Sequence, residues 1–336
     1  MKKIISFLKT DVKIINSYLL FTIVLIILVC IGYSSYALFS FTKTSINIIE
    51  GTVGELKKSG TDTLIKLTNN QNNSGLYTIT HEADTTLQIG TNESITEYRY
   101  RGASPKNNVT FNNEVWRIIG IFPTDDGTGN IENRIKIIKD QSIGNKYWNR
   151  TKVTSTSTYN NWTGATLNTE LNTTYLNSLD STSKSMIGNT KYYLGGSNTA
   201  GIQKDVMYQY ERKIQNTKSN EFYYETNPNS WVGKLGLMYA SDYGYAVSDE
   251  CTQTLVNYND AKCKNNNWLL KGNSEWLLSQ GASSSKYAFR VYSDGNVRSF
   301  LVNSNQIGVR PVLYLISSAQ ITGGNGTIGS PYTLGL

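Results

Sequence analysis

The chain has 336 residues, a net charge of +7 and a charged fraction of only 17%. Its 23 Tyr, 9 Phe and 6 Trp can build a core, which excludes a disordered chain. Lys2, Lys3, Lys9 and Lys13 against Asp11 put +3 ahead of the first apolar run and leave +4 on everything after it. No basic stripe with interleaved aromatic residues follows, so nucleic acid is not an expected partner.

The first predicted element is a membrane helix. No residue from Ile14 to Thr42 is charged, and its centre, YLLFTIVLIILVCIGY (18–33), is almost wholly apolar. A spanning helix needs about 20 such residues. Residues 1–16 read as a cytoplasmic N-terminus and 17–39 as a single transmembrane helix, with the lysines on the inner side and the rest of the chain outside the cell membrane. The alternative is a signal peptide cleaved after Ala37, where Ser35-Tyr36-Ala37 has the small-x-small pattern, which would leave the protein secreted.

Residues 40–95 read as an extracellular spacer or small β-rich subdomain, with short alternating runs broken by Asn, Gly and Ser. From 96 the texture changes, and 96–336 reads as one α+β domain, mostly antiparallel with a few helices. VWRIIGIF (115–122), with Trp116 as a core residue, and RIKIIKD (134–140) form a hairpin. GATLNTELNTTYLNSL (164–179) is a helix, because Leu167, Leu171, Tyr175 and Leu179 share one face. KDVMYQYERKI (204–214) is a second helix. Strands follow at 234–240, 287–292, 297–303 and 310–316, with an Asp-Gly hairpin turn at SDGN (293–296) and a last short strand at YTLG (332–335).

Candidate chemistry is sparse. Cys30 lies in the apolar run and reads as a passive hydrophobe. Cys251 and Cys263, outside the membrane, read as a disulfide worth about 3 kcal/mol on the chain-entropy account. His81 is the single histidine, which argues against Ser-His-Asp or Cys-His catalysis and against a zinc site with nitrogen ligands. The chain is therefore not expected to be an enzyme, nor to carry a cofactor. Calcium is the one ion considered, at Asp242, Asp249 and Glu250. TDDGTGNIE (124–132) lacks the order of an EF-hand loop and reads as a turn. Flat rings beside Asn amides suit stacking on sugars, so Trp148, Trp162, Trp231, Tyr243 and Tyr245 are the candidate ligand contacts, for a glycan or a surface protein.

The sequence of motifs VWRIIGIF, RIKIIKD, YWN, ATLNTELNTTYLNSL, YYLGG, GKLGLMYASDYGYA, NNWLL, AFRVYSDGNV, GVRPVLYL and ITGGNGTIGSPYTL resembles a group of uncharacterised, N-terminally anchored surface proteins of low-GC Gram-positive bacteria. The resemblance runs from about residue 96 to the end of the chain. A second resemblance is confined to the C-terminal part. There Trp276, Leu277 and Ser279, then Tyr292, Ser293, Asp294, Gly295 and Val297, then Gly308, Val309, Arg310, Pro311, Val312 and Leu313 are similar to the terminal strands of the C-type-lectin-like fold shared with formylglycine-generating enzymes. It implies a lectin-like domain in which Asp294, Gly295, Gly308, Arg310 and Pro311 are structural. Pro311 suits the first residue of a strand. Arg310 is expected to lock onto a buried carboxylate, Asp242 or Asp249. The oxidase activity of those enzymes is the least favoured implication, since fold alone is weak support for function. An adhesion or binding module is the leading expectation, and a structural component of the envelope the alternative.

Overall fold

The computed structural model describes residues 25–29, 59–90, 92–150, 159–304 and 307–336. The chain divides into two compact units, Met1–Lys57 and Lys58–Leu336. Of the first unit, residues 25–29 are described and are helical. Among the described residues no helix is long and apolar enough to cross a membrane. The expected cytoplasmic segment 1–16, the rest of the expected span 17–39, the cleavage point at Ala37 and residues 40–58 lie outside the described residues.

The second unit opens on a short helix, Gly60–Ile65, whose N-cap Ser59 accepts from the Asp62 backbone N–H. Strands β1 (Gly75–His81) and β2 (Ile95–Arg101) then pair antiparallel along their full length, from Gly75 opposite Arg101 to His81 opposite Ile95. β3 (Asn108–Phe111) turns tightly into β4 (Glu114–Asp125) through Asn112 and Asn113, both at positive φ, a conformation Asn tolerates well. β5 (Ile131–Lys139) returns alongside β4. β6 is Asn145–Lys146.

The helix expected over 164–179 is present as three consecutive segments, Thr166–Glu170, a π-turn at Leu171–Tyr175, and Leu176–Ser178. Leu167 and Leu171 are buried on its inner face. After the Ser181–Ser185 helix come β7 (Thr190–Tyr193) and β8 (Gly196–Ser197), then the helix Lys204–Glu211. β9 (Ser230–Gly233) and β10 (Leu235–Gly236) lead to the helix Ala240–Tyr245. The strand expected over 234–240 is thus only Leu235–Gly236, because Tyr239 is the N-cap of the helix that follows, its N–H donating to Asp242 Oδ2 at 2.9 Å. The chain closes with β11 (Glu275–Gly281), β12 (Tyr287–Val291), β13 (Val297–Leu301), β14 (Ile307–Gly308), β15 (Val312–Tyr314), β16 (Gln320–Gly323) and β17 (Thr333–Gly335).

Among the described residues the strands form two larger sheets. One runs β1-β2-β4-β5-β15-β10, with β3 attached to β4. The other runs β13-β12-β11-β14-β6, with β8 attached to β11. Pairing is mostly antiparallel, the exceptions being β11 with β14 and with β8. The unit is α+β.

The boundary expected between 95 and 96 falls inside this unit. β1 comes from the stretch read as a spacer, yet it shares a sheet with the C-terminal β15. The Gly60–Ile65 helix is also tied to the chain's end, for the Gly60 N–H donates to Ala319 O at 2.8 Å. A Cβ at Gly60 would lie 2.9 Å from that same carbonyl, so the close approach requires glycine.

Candidate functional site

β2 positions two different environments, because successive side chains leave a strand on opposite faces. Glu97, Arg99 and Arg101 point one way, and Tyr98 and Tyr100 the other. The first face meets an ionic core. Arg99 Nη2 lies 2.8 Å from Glu97 Oε2, and Arg99 Nη1 donates to Asp242 Oδ1 at 2.9 Å. Lys136 Nζ on β5 donates to Asp242 Oδ2 at 2.5 Å. Glu97 Oε1 accepts from the Tyr208 hydroxyl at 2.8 Å. His81 Nε2 stands 3.2 Å from Glu97 Oε2, with its ring stacked on Tyr208. Arg212 Nη1 reaches Glu211 Oε2 at 3.2 Å and its guanidinium covers the Tyr208 ring. Glu211 Oε1 also accepts from Ser279 Oγ at 2.6 Å and from the Ser241 N–H at 3.1 Å.

Burial works against every charge in this core, and the neighbours decide the outcome. Burial alone would raise Glu97, but Arg99, His81 and Arg212 hold it well below the usual carboxylate range. Asp242 is likewise held low, by Lys136 and Arg99 against its own burial. For Glu211 burial wins, and its pKa is raised despite Arg212. Burial pushes Lys136 down to about 8, against the pull of Asp242. These groups are sealed from solvent, so the core fixes β2, β5 and two helices to one another rather than receiving a ligand from outside.

On the other face of β2, Tyr100 floors a groove of about 640 Å³, within the range of small-molecule sites. Leu76, Pro105 and Tyr332 complete its floor, and Leu67, Asn69, Asn72, Ser74, Ser104, Lys106 and Asn325 stand around it. The rim residues are exposed. Tyr332 is held there by backbone bonds to β3. Its N–H donates to Asn108 O at 2.9 Å, and its carbonyl accepts from the Thr110 N–H at 2.8 Å. The Asn108 side chain in turn donates to Gly326 O at 2.9 Å. Gly102, at φ +94, carries the chain out of β2 under Asn73 and Ser74, where a Cβ would collide with Asn73 O. The Tyr100 hydroxyl lies against that of Tyr332, its hydrogen-bonding neighbour.

The residues expected to contact ligand are elsewhere, and most are core. Trp148 and Trp162 are wholly buried, edge to face at 5.1 Å. Trp148 Nε1 donates to Leu277 O at 3.1 Å. Tyr243 is buried, with its hydroxyl donating to Gly295 O at 3.0 Å, and Tyr245 packs beside the Arg99 guanidinium. Trp231 is half-buried against Trp162 and Tyr192. These five make no exposed aromatic patch. The misreading has a physical cause: the Asn residues around these rings bracket backbone rather than face solvent. Asn160 Nδ2 donates to Gly281 O at 2.8 Å and Tyr287 O at 2.9 Å, and Asn168 Nδ2 donates to Trp162 O at 3.0 Å.

The acidic trio is also dispersed. Asp242 is in the ionic core with both oxygens on cations. Asp249 is exposed and pairs with Arg101, and Glu250 accepts from Asn73 Nδ2 at 3.4 Å. Among the described residues no group of three or more His, Cys, Asp or Glu is placed to hold a metal ion. Arg310 does not bind Asp242 or Asp249. Its Nε donates to Glu275 Oε2 at 2.8 Å and its Nη2 to Leu269 O at 2.7 Å. Pro311 stands just ahead of β15, and its carbonyl accepts from the Lys139 N–H at 3.0 Å. Gly308 lies in β14, where a Cβ would press on Ser274 O and Ser142 Oγ. Asp294 Oδ1 accepts from the Asn296 N–H, and Gly295 sits at φ 101 in that turn. Trp116 is wholly buried against Phe111. Cys251 and Cys263 form a disulfide.

Neither the groove nor the ionic core was signalled as a site by the sequence. The one available hint for the core was a lysine set inside an isoleucine run, RIKIIK, where a surface reading would need an exposed face that β5 lacks. No protein-family model, no curated protein and no solved structure matches the chain.

Proposed function

We propose that the chain is a membrane-anchored bacterial cell-surface protein and that its Lys58–Leu336 unit is a non-catalytic binding or adhesion module. The groove over Tyr100 and Tyr332 is its site, and its ligand is an uncharged polar polymer such as a glycan. The observation that carries this reading is the groove itself, with Tyr100 and Tyr332 beneath it and amides at its rim. Asn and Ser groups at the rim suit hydroxyl-rich ligands. The apolar run at 18–33 supports the anchor. The motifs at 276–279, 292–297 and 308–313 support a C-type-lectin-like module.

The test is an array of glycans and cell-wall polymers probed with the full chain in detergent, with and without calcium. Saturable binding is expected, and removing one rim group by Asn72→Ala or Leu67→Ser should weaken it about 5- to 10-fold, the loss of roughly 1 kcal/mol of contact. Binding that ignores both rim changes and disappears with Trp231→Ala would move the site to the half-buried tryptophan. An absence of binding from folded protein would leave an envelope-structural role in its place. A strict calcium requirement would show an ion site outside the carboxylates described above.

A further inference from the structure

The ionic core holds one pair with more than charge in common. Lys136 Nζ and Asp242 Oδ2 are 2.5 Å apart, both side chains have no exposed surface, and they are 106 residues apart in sequence. Phe122, Tyr239 and Tyr314 surround the ammonium with their rings. Neither partner can drift away, since Lys136 is fixed in the middle of β5 and Asp242 in the first turn of the Ala240–Tyr245 helix, where its Oδ2 also accepts from the Tyr239 N–H at 2.9 Å. An amine and a carboxyl group held in contact in this way have the proximity that gives intramolecular reactions their large effective molarity.

We propose that Lys136 and Asp242 condense into an intramolecular amide bond, making this pair a self-modification site. The step needs no oxidant or co-reactant. A proton passes from Lys136 Nζ to Asp242 Oδ2, giving a free amine beside a carboxylic acid. The amine lone pair forms the N–Cγ bond while negative charge gathers on Oδ1, where Arg99 Nη1 already donates at 2.9 Å. A second proton then moves from nitrogen to Oδ2, the Cγ–Oδ2 bond breaks, one water leaves, and Oδ1 becomes the amide carbonyl oxygen. One ammonium and one carboxylate are consumed together, so net charge is unchanged.

Arg99 holds Asp242 ionised and so opposes the first proton transfer, and the loss of buried charge favours the product. Two buried ions each carry a desolvation penalty of several kcal/mol, and the neutral amide carries far less. Burial has already pushed the Lys136 amine down to about 8, which brings its nucleophilic form within reach near neutral pH. The remaining core keeps its own pairs, Glu97 with Arg99 and Glu211 with Arg212. The product would join the middle of the larger sheet covalently to the helix beyond β10, a brace that persists when the fold is pulled or heated.

The experiment is a tryptic digest of the wild-type full chain after reduction and alkylation, read by tandem mass spectrometry. The expected result is the peptide Ile135–Lys139 joined to Leu235–Lys262, lighter than the two together by one water, with no cleavage after Lys136. Recovery of the two as separate peptides, with cleavage after Lys136, would overturn the proposal. Denaturing electrophoresis under reducing conditions supplies a second reading that does not depend on the variant folding: Asp242→Ala should lose the faster migration of a chain closed between 136 and 242. Identical migration of the two proteins would count against the bond.

Discussion

At the scale of single residues, Arg310 is the clearest case of a group whose role depends on one partner. Its guanidinium is buried and spends its donors on Glu275 and on Leu269 O. Removing one member of such a pair strands the other charge without water. Glu275→Ala should therefore cost about 3–5 kcal/mol, whereas the double change Arg310→Met with Glu275→Leu should recover much of that loss. Denaturant midpoints of the two proteins check it, and equal destabilisation would show that the pair is worth more than its charges. The sequence made it legible that Arg310 needed a buried carboxylate. It did not show which one, because Glu275 stands in the polar-looking NSEWLL and only the pairing of β11 with β14, Glu275 opposite Gly308, brings it beside Arg310. The buried tryptophans were illegible for a related reason. An Asn-rich neighbourhood looks solvated until its amides are seen to serve backbone carbonyls.

At the scale of elements, local pattern carried furthest where an element is long and one-sided. The β4–β5 hairpin and the helix ending at Ser178 were readable from alternation and from the spacing of Leu167 and Leu171. Short elements set by long-range pairing were not. β8 and β14 are two residues each and exist because both pair with β11 along the edge that β12 leaves open. The Cys251–Cys263 bridge is the element-scale feature that sequence and structure share, and it closes the segment carrying the 3-10 turn Leu255–Asn257 and the helix Ala261–Lys264. That segment packs Leu255 and Tyr258 into the core with little regular structure of its own. Replacing both cysteines by alanine should lower stability by about 3 kcal/mol, on the order of the loop entropy it restores. A thermal melt with and without reductant measures the same quantity on the native chain, and a melting point indifferent to reductant would show that the segment is held by packing alone.

At the scale of the whole molecule, the ionic core makes stability a function of pH, with two carboxyl groups acting in opposite senses. Glu97 has a folded pKa below its unfolded value of about 4.3. Its contribution is therefore complete above that value and is lost as the pH falls through it toward the folded pKa. Glu211 has a raised folded pKa, so the native state holds a proton that the unfolded chain has released. Its contribution is present at low pH and declines as the pH rises from the ordinary carboxylate range through the raised value. Melting temperature should therefore climb from pH 3 to about pH 5 and then sag toward neutrality. Glu97→Gln should flatten the climb, and Glu211→Gln should flatten the sag. Because Lys136 and Asp242 leave the titration once they are joined, Lys136→Met should not change the stability gain between pH 8 and about 10.5, the interval in which a free buried lysine would release its proton ahead of the unfolded chain. Lys204 and Lys271, also lowered by burial, add a rise of their own there, so a rise larger in wild-type protein than in Lys136→Met would mean that the amine is still free.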